Sequence, residues 1–229
     1  MGLKNMPRCD SLRDVTVWAL LLLALQQLAG AGLVQAKAQL APVLIERAWQ
    51  RSLALGGEPV LPWPWADTWP VARLQAPTLG RDVFVLSGDS GNVLAFGPGH
   101  STGSAALGSA GRAVIGGHRD THFAFLRSLA VGEPLRLQLP DTRWREYRVS
   151  GTRIANAERE ALQVPMSGER LTLVTCYPFD ALRPGGPLRY VVDALPLSQS
   201  QGCMESPGCY NRQPPFSRTG SVDDQHADE

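Results

Sequence analysis

Net charge is almost absent from this chain of 229 residues: 22 Lys and Arg against 21 Asp and Glu leave +1. No basic stripe interleaved with aromatics appears either, which excludes a nucleic-acid-binding role. Histidine and cysteine are scarce, with four of each. His118 and His122 are spaced as two ligands on one helical turn would be, but no third ligand follows at matching spacing, which argues against zinc. Internal repeats are missing as well. The length holds one domain with an anchor and a tail, and the composition is of ordinary globular type.

Long apolar runs are few, and the one that stands out is N-terminal. Lys4, Arg8 and Arg13 precede an apolar stretch from Val15 to Val34, broken by Gln26 and Gln27. Its length is close to the ~20 residues that a spanning helix needs. Basic residues ahead of it favour a cytoplasmic N-terminus over 1–14, a transmembrane signal-anchor over 15–36 and an exported remainder. Small residues around Leu28-Ala29-Gly30-Ala31 and Gln35-Ala36-Lys37 keep a cleaved signal peptide open as an alternative, with a buried soluble helix as a third. On the anchor reading Cys9 stays in the reducing cytosol, while Cys176, Cys203 and Cys209 face an oxidising compartment, where an odd count leaves one thiol free. Cys203 and Cys209 are close enough in a polar tail to pair, which would leave Cys176 unpaired.

Residues 37–70 read as a helical stalk and an arm. Leu40 to Leu55 has apolar positions at helical spacing, including Val43, Leu44, Ala48 and Leu55, and Gly56-Gly57 stops it. Pro59 to Pro70 holds several prolines and tryptophans, which rules out regular helix or central strand; an arm packing its tryptophans on the domain is expected. From Val71 the pattern changes to short strand-like runs punctuated by Gly and Pro. Strands are expected at Val71–Leu74, Asp82–Leu86, Ala113–Gly116, Leu135–Leu139, Trp144–Ile154, Arg170–Thr175 and Leu188–Val192, with short helices at Ser90–Phe96 and Phe123–Leu129. Many strands at short spacing with few helices make a mainly-β fold, a closed antiparallel or mixed barrel over 71–197. Residues 198–229 lose the apolar pattern and are expected to form a flexible tail.

Chemistry concentrates in three residues at expected strand ends. Cys176 closes Thr172-Leu173-Val174-Thr175-Cys176, Arg189 follows in Pro187-Leu188-Arg189-Tyr190, and His118 ends the run through Val114-Ile115-Gly116-Gly117. A thiolate attacks a carbonyl, an imidazole moves protons, and a fixed cation steadies the oxyanion. A small buried hydrophobe is the commonest fate of a lone Cys. Thr175 has two open roles, in the oxyanion's hydrogen bonding or as a packed strand residue. His100, after Gly97-Pro98-Gly99, is a substrate-groove candidate whose alternative is an exposed loop position. Asp120 is placed to orient His118, or is a surface turn residue.

The Thr-Leu-Val-Thr-Cys run, the upstream Gly-His and the Arg beyond the Cys resemble the signature of the sortases, membrane-bound cysteine transpeptidases. With the Trp-Pro-Trp stretch near Trp63 and Ala95-Phe96-Gly97-Pro98-Gly99-His100, the chain is similar to the sortases of Gram-negative proteobacteria, sometimes called class GN. The likeness covers about residues 60 to 195. It implies an eight-stranded β-barrel, with His118, Cys176 and Arg189 as catalytic residues, Arg189 being preferred to Arg183 by its spacing. It also implies a single-pass enzyme of the inner membrane with its catalytic domain in the periplasm. The expected reaction cleaves a Leu-Pro-x-Thr-Gly-like C-terminal sorting signal of an exported protein and passes the thioacyl fragment to an amine. No organic cofactor is implied, and the acidic cluster that calcium-using sortases need is not located in this sequence.

Two rival classes remain beside that expectation. An L,D-transpeptidase or papain-like peptidase would also use Cys and His in an exported domain. The first normally carries a Ser-x-Gly-Cys-x-Arg arrangement, whereas Val174-Thr175 precede Cys176 here and Arg189 lies far beyond it. The second rival is a non-catalytic, membrane-anchored binding module in which Cys176 is core.

Overall fold

The computed structural model describes residues 10–159, 168–181 and 185–197. Cys9, Arg183, Cys203, Cys209 and the expected tail lie outside the described residues. The first element is one helix, α1, Asp10–Ala54, which joins into a single rod what the sequence divides into anchor and stalk. Gly56 and Gly57 follow it with φ of 75° and 99°, a left-handed exit that β-carbon-bearing residues adopt at a cost.

The stripe of α1 that packs on the rest of the chain is Ala41, Ile45, Ala48, Trp49 and Ser52, all buried. That is one step round the helix from the expected face: Val43 and Leu55 point to solvent at 42% and 62% exposure. Trp49 decides the rotation, because its ring is fully buried and sits 6.4 Å from Phe84. Ile45 joins Leu86 and Val93 in a small apolar cluster against Trp63, Phe84 and Phe96. In the arm, Trp63 packs edge-on to Phe96 at 5.1 Å. Thr68 is buried and donates to the Ser87 carbonyl, while Trp65 stands 83% exposed. The arm therefore docks through Trp63 and Thr68, and not through all its tryptophans.

Eight strands follow: β1 Pro70–Ala76, β2 Arg81–Ser87, β3 Gly99–His100, β4 Gly111–Gly117, β5 Pro134–Gln138, β6 Trp144–Asn156, β7 Glu169–Cys176 and β8 Leu188–Pro196. A short helix, α2, Gly91–Leu94, lies between β2 and β3. The strands close into a barrel in the order β1-β2-β3-β4-β7-β8-β6-β5. Closure removes the free sheet edges that an open sheet of these strands would expose. The barrel is mixed: β2/β3 and β4/β7 run parallel and the other neighbours antiparallel. Alternate positions point inward, so Leu74, Ile115, Leu135, Leu137, Leu171, Leu173 and Val192 fill the interior. A 3₁₀ turn at Ala124–Ser128 adds Phe125 and Leu126 to that core, with Phe123 just before it.

Among the described residues, no helix is long and apolar enough to cross a membrane. The apolar run at the start of α1 nevertheless presents large side chains outward, with Trp18, Leu22 and Leu28 between 66% and 70% exposed.

Candidate active site

Strand β7 carries Leu171 and Leu173 into the core and leaves Cys176, its last residue, half-buried on the other side of the wall. Cys176 is a free cysteine. Strand register sets its neighbours. On one flank, β8 pairs antiparallel so that Cys176 lies opposite Arg189. On the other, β4 runs parallel with Gly117 opposite Thr175, so His118 leaves β4 at the level where Cys176 ends β7. Neighbouring strands are about 4.8 Å apart, which places the backbones of the three side by side at one rim of the barrel.

Each side chain is presented by alternation. Gly117 is buried, His118 exposed and Arg119 buried again. The strand end therefore turns His118 away from the core. A β-carbon on Gly117 would sit 2.7 Å from the Phe123 ring, whereas nothing lies within 4 Å of the same position on Gly116. The close approach foreseen for the Gly-Gly pair thus belongs to Gly117 alone. Phe123 is fully buried and its N–H donates to the His118 carbonyl at 3.0 Å, fixing the backbone that carries the imidazole. His122, in the same loop, is held below its ordinary pKa by burial and, second, by the neighbouring charge of His118.

Arg189 Nη1 donates to the carbonyls of Gly186 and Leu188 at 2.7 and 2.9 Å. Among the described residues its Nε and Nη2 make no hydrogen bond, which leaves two donors of a permanently charged fork for a further acceptor. The backbone continues the β7/β8 pairing past the thiol, since the Tyr177 N–H donates to the Leu188 carbonyl at 3.0 Å. Tyr177, Phe179 and Tyr190 pack together there, with Phe179 and Tyr190 centroids 5.3 Å apart.

Two expected groove residues are placed elsewhere. The Thr175 hydroxyl is buried and donates to the Gly117 carbonyl at 2.7 Å, so it ties β7 to β4 and is spent on the barrel wall. His100 pairs with Ile115 on β3/β4, and its Nε2 meets the Ala105 carbonyl at 2.9 Å and the Ser104 hydroxyl at 3.3 Å. The cleft it lines includes Leu139, Pro140 and Arg143 of the β5–β6 turn. The β6/β8 register puts that turn at the opposite end of the barrel from Cys176. Asp120 accepts from Arg119 Nε at 3.2 Å, and its side chain is 69% exposed. Arg119 itself, which the sequence marks with nothing but its place after His118, is a buried cation that reaches the segment beyond Cys176. Among the described residues no group of three His, Cys, Asp or Glu is arranged to hold a metal ion.

The sortase domain family model matches residues 74–197, more than half of the chain. Among solved structures, sortase A from Corynebacterium diphtheriae is similar with a TM-score of 0.52 and 22% identity, over 69% of this chain and 84% of that one. A sortase D5 transpeptidase of Clostridium perfringens is similar with a TM-score of 0.55 and 18% identity, over 71% of this chain and 99% of that one. At these identities the structures share the fold. A search of the curated proteins finds no significant match to the sequence.

Proposed function

This chain belongs to the sortase family, the cysteine transpeptidases acting on peptide bonds, and from that premise we propose that Cys176, His118 and Arg189 carry out the transfer. Membership sets aside the L,D-transpeptidase, the papain-like peptidase and the inert binding module. The substrate we infer is an exported protein whose C-terminal sorting signal resembles Leu-Pro-x-Thr-Gly.

In the proposed reaction the Cys176 thiolate forms a bond to the threonyl carbonyl carbon, and negative charge moves to the oxygen. Arg189 donates hydrogen bonds to that oxygen from the two nitrogens left open by its backbone contacts. As the tetrahedral species collapses, the C–N bond to glycine breaks and protonated His118 gives its proton to the departing amine. A thioacyl-enzyme remains. An incoming amine then attacks the thioester, His118 takes up its proton, the C–S bond breaks and the thiolate is restored. Water in place of the amine gives hydrolysis. Arg189 cannot act as base, because a guanidinium keeps its proton throughout the accessible pH range.

The observation that carries this reading is the register of three adjacent strands, which sets His118 and Arg189 on either side of Cys176. The Gram-negative subgroup, a single-pass anchor in the inner membrane and a periplasmic catalytic domain are part of the same proposal. Support for the anchor comes from the exposed leucines at the start of α1, and from exposed Trp65, which lines an apolar cleft with Leu40 and Leu44 and is of a residue type enriched at bilayer interfaces.

The test incubates the purified protein with a Leu-Pro-x-Thr-Gly peptide and an amine acceptor and follows products by mass spectrometry. Cleavage between Thr and Gly, transfer to the amine and a mass adduct on Cys176 are expected, with all three lost in Cys176→Ala. Turnover retained by Cys176→Ala would refute the assignment, as would a wild-type protein that cleaves no such peptide. Carbonate-resistant membrane association that disappears when residues 1–36 are deleted checks the anchor; a deletion that stays in the membrane fraction would reject it.

A further inference from the structure

Arg119 is 6% exposed, and burying a guanidinium is costly unless its donors are matched. Its partners lie far along the chain. Nη1 donates to the Pro178 carbonyl at 2.9 Å and Nη2 to the Ala181 carbonyl at 2.7 Å, across 59 and 62 residues of sequence. The two acceptors are the ends of one turn, closed by the Ala181 N–H on the Pro178 carbonyl at 3.4 Å. That closing bond is long, so the turn is weakly held by its own backbone. A planar fork spanning both ends fixes it more firmly than the turn fixes itself. The turn begins two residues after Cys176, and the fork begins one residue after His118.

We propose that Arg119 is a positioning residue for transpeptidation: its guanidinium holds the Pro178–Ala181 turn as a fixed wall beside Cys176, against which the sorting peptide is seated. The inference rests on the proposed function for the identity of that peptide. Arg119 touches neither the thiol nor the scissile bond; it acts through the turn. Phe179 reinforces the same wall from within, packed against Tyr190 and the barrel core. Apolar packing allows a turn to slide, whereas two directed hydrogen bonds set its height. Lysine at this position would keep the charge and lose the fork, because an ammonium cannot span two carbonyls in one plane.

The experiment compares wild type with Arg119→Lys in three measurements: amide hydrogen exchange over Phe179–Ala181, kinetics on the sorting peptide, and alkylation of Cys176 by iodoacetamide. In Arg119→Lys, exchange should quicken and KM should rise, with kcat/KM lower by about tenfold or more. Alkylation should stay within about twofold, because a small reagent needs the thiol and not the wall. Unchanged exchange would overturn the proposal. So would faster exchange with unchanged kcat/KM, or alkylation and peptide turnover falling together, which would make Arg119 a fold residue only. If Arg119→Lys does not fold, Arg119→Gln takes its place with one amide donor retained; failure of both to fold also assigns Arg119 to the fold alone and overturns the positioning role. A wild-type protein that turns over no sorting peptide would refute the proposed function instead, and the exchange comparison would still decide whether Arg119 holds the turn.

Discussion

Replacing Thr175 by Val separates two roles for the residue beside the nucleophile. The shape is nearly kept, and what is lost is the hydroxyl that donates to the Gly117 carbonyl at 2.7 Å inside the barrel wall. Thr175 is 2% exposed, so no water replaces the donor easily. Leaving a buried acceptor unmatched costs about 1–3 kcal/mol. For a domain of this size each kcal/mol lowers the melting temperature by roughly 2–4 °C, so a fall of about 2–12 °C is expected. Catalysis should suffer only through the small loosening of β4 against β7, by about tenfold at most. An oxyanion donor removed would instead cost about 10²–10³ in kcat. Differential scanning calorimetry beside peptide turnover reads both. A variant as stable as wild type but slower by the larger factor would refute the structural role and return the hydroxyl to the oxyanion.

Gly117→Ala forces a β-carbon to within 2.7 Å of the Phe123 ring; overpacking of about 1–3 kcal/mol should appear in denaturant unfolding, with a loss of turnover as His118 moves. Gly116→Ala, with nothing within 4 Å, should leave both nearly unchanged, and equal effects at the two positions would contradict the packing account. Arg189→Lys should lower kcat by about 10²–10³ with less effect on KM; activity within about threefold of wild type would remove Arg189 from the oxyanion role. The depressed pKa of His122 makes stability depend on pH. The unfolded chain takes up a proton near pH 6.5 that the fold refuses until lower pH, so this contribution is intact above that value and is lost as pH falls toward the folded pKa. Urea midpoints should therefore decline from pH 7 to pH 5, less steeply in His122→Gln; identical slopes would show that another group governs the decline.

Most strands were legible because inward and outward positions alternate in short runs bounded by Gly and Pro, as in Leu135–Leu139. Strand β3 was not, since two residues, Gly99 and His100, leave no period to detect. Its place is set by backbone crowding: a β-carbon on Gly99 would lie 2.0 Å from the Gly88 carbonyl oxygen. Apolar spacing sets the face of α1 one step off, because spacing alone does not rank Trp49 and Ile45 above Val43 and Leu55. His100 has two readings in the sequence, groove or exposed loop, because Gly-Pro-Gly marks a loop; the structure pairs it with Ile115 and engages its Nε2 with the Ala105 carbonyl and the Ser104 hydroxyl.

The three site residues were named from their types and strand-end positions, yet nothing in their spacing says why they should be neighbours. That follows from a crossover. Strands β4 and β7 are consecutive in neither sequence nor hairpin, but they pair in parallel, with β8 folding back on the far side of β7. Parallel pairing brings the C-terminal ends of both strands to the same rim, so residues that terminate them, His118 and Cys176, emerge together. Antiparallel pairing at that one seam would have sent the imidazole to the opposite end of the barrel. The hairpin to β8 then supplies the cation from the strand start facing Cys176. Arg119 belongs to the same seam, since only a parallel pair lets the residue after His118 reach the turn after Cys176. The chemistry is thus written in residue identity, and its assembly in the direction of one strand pair.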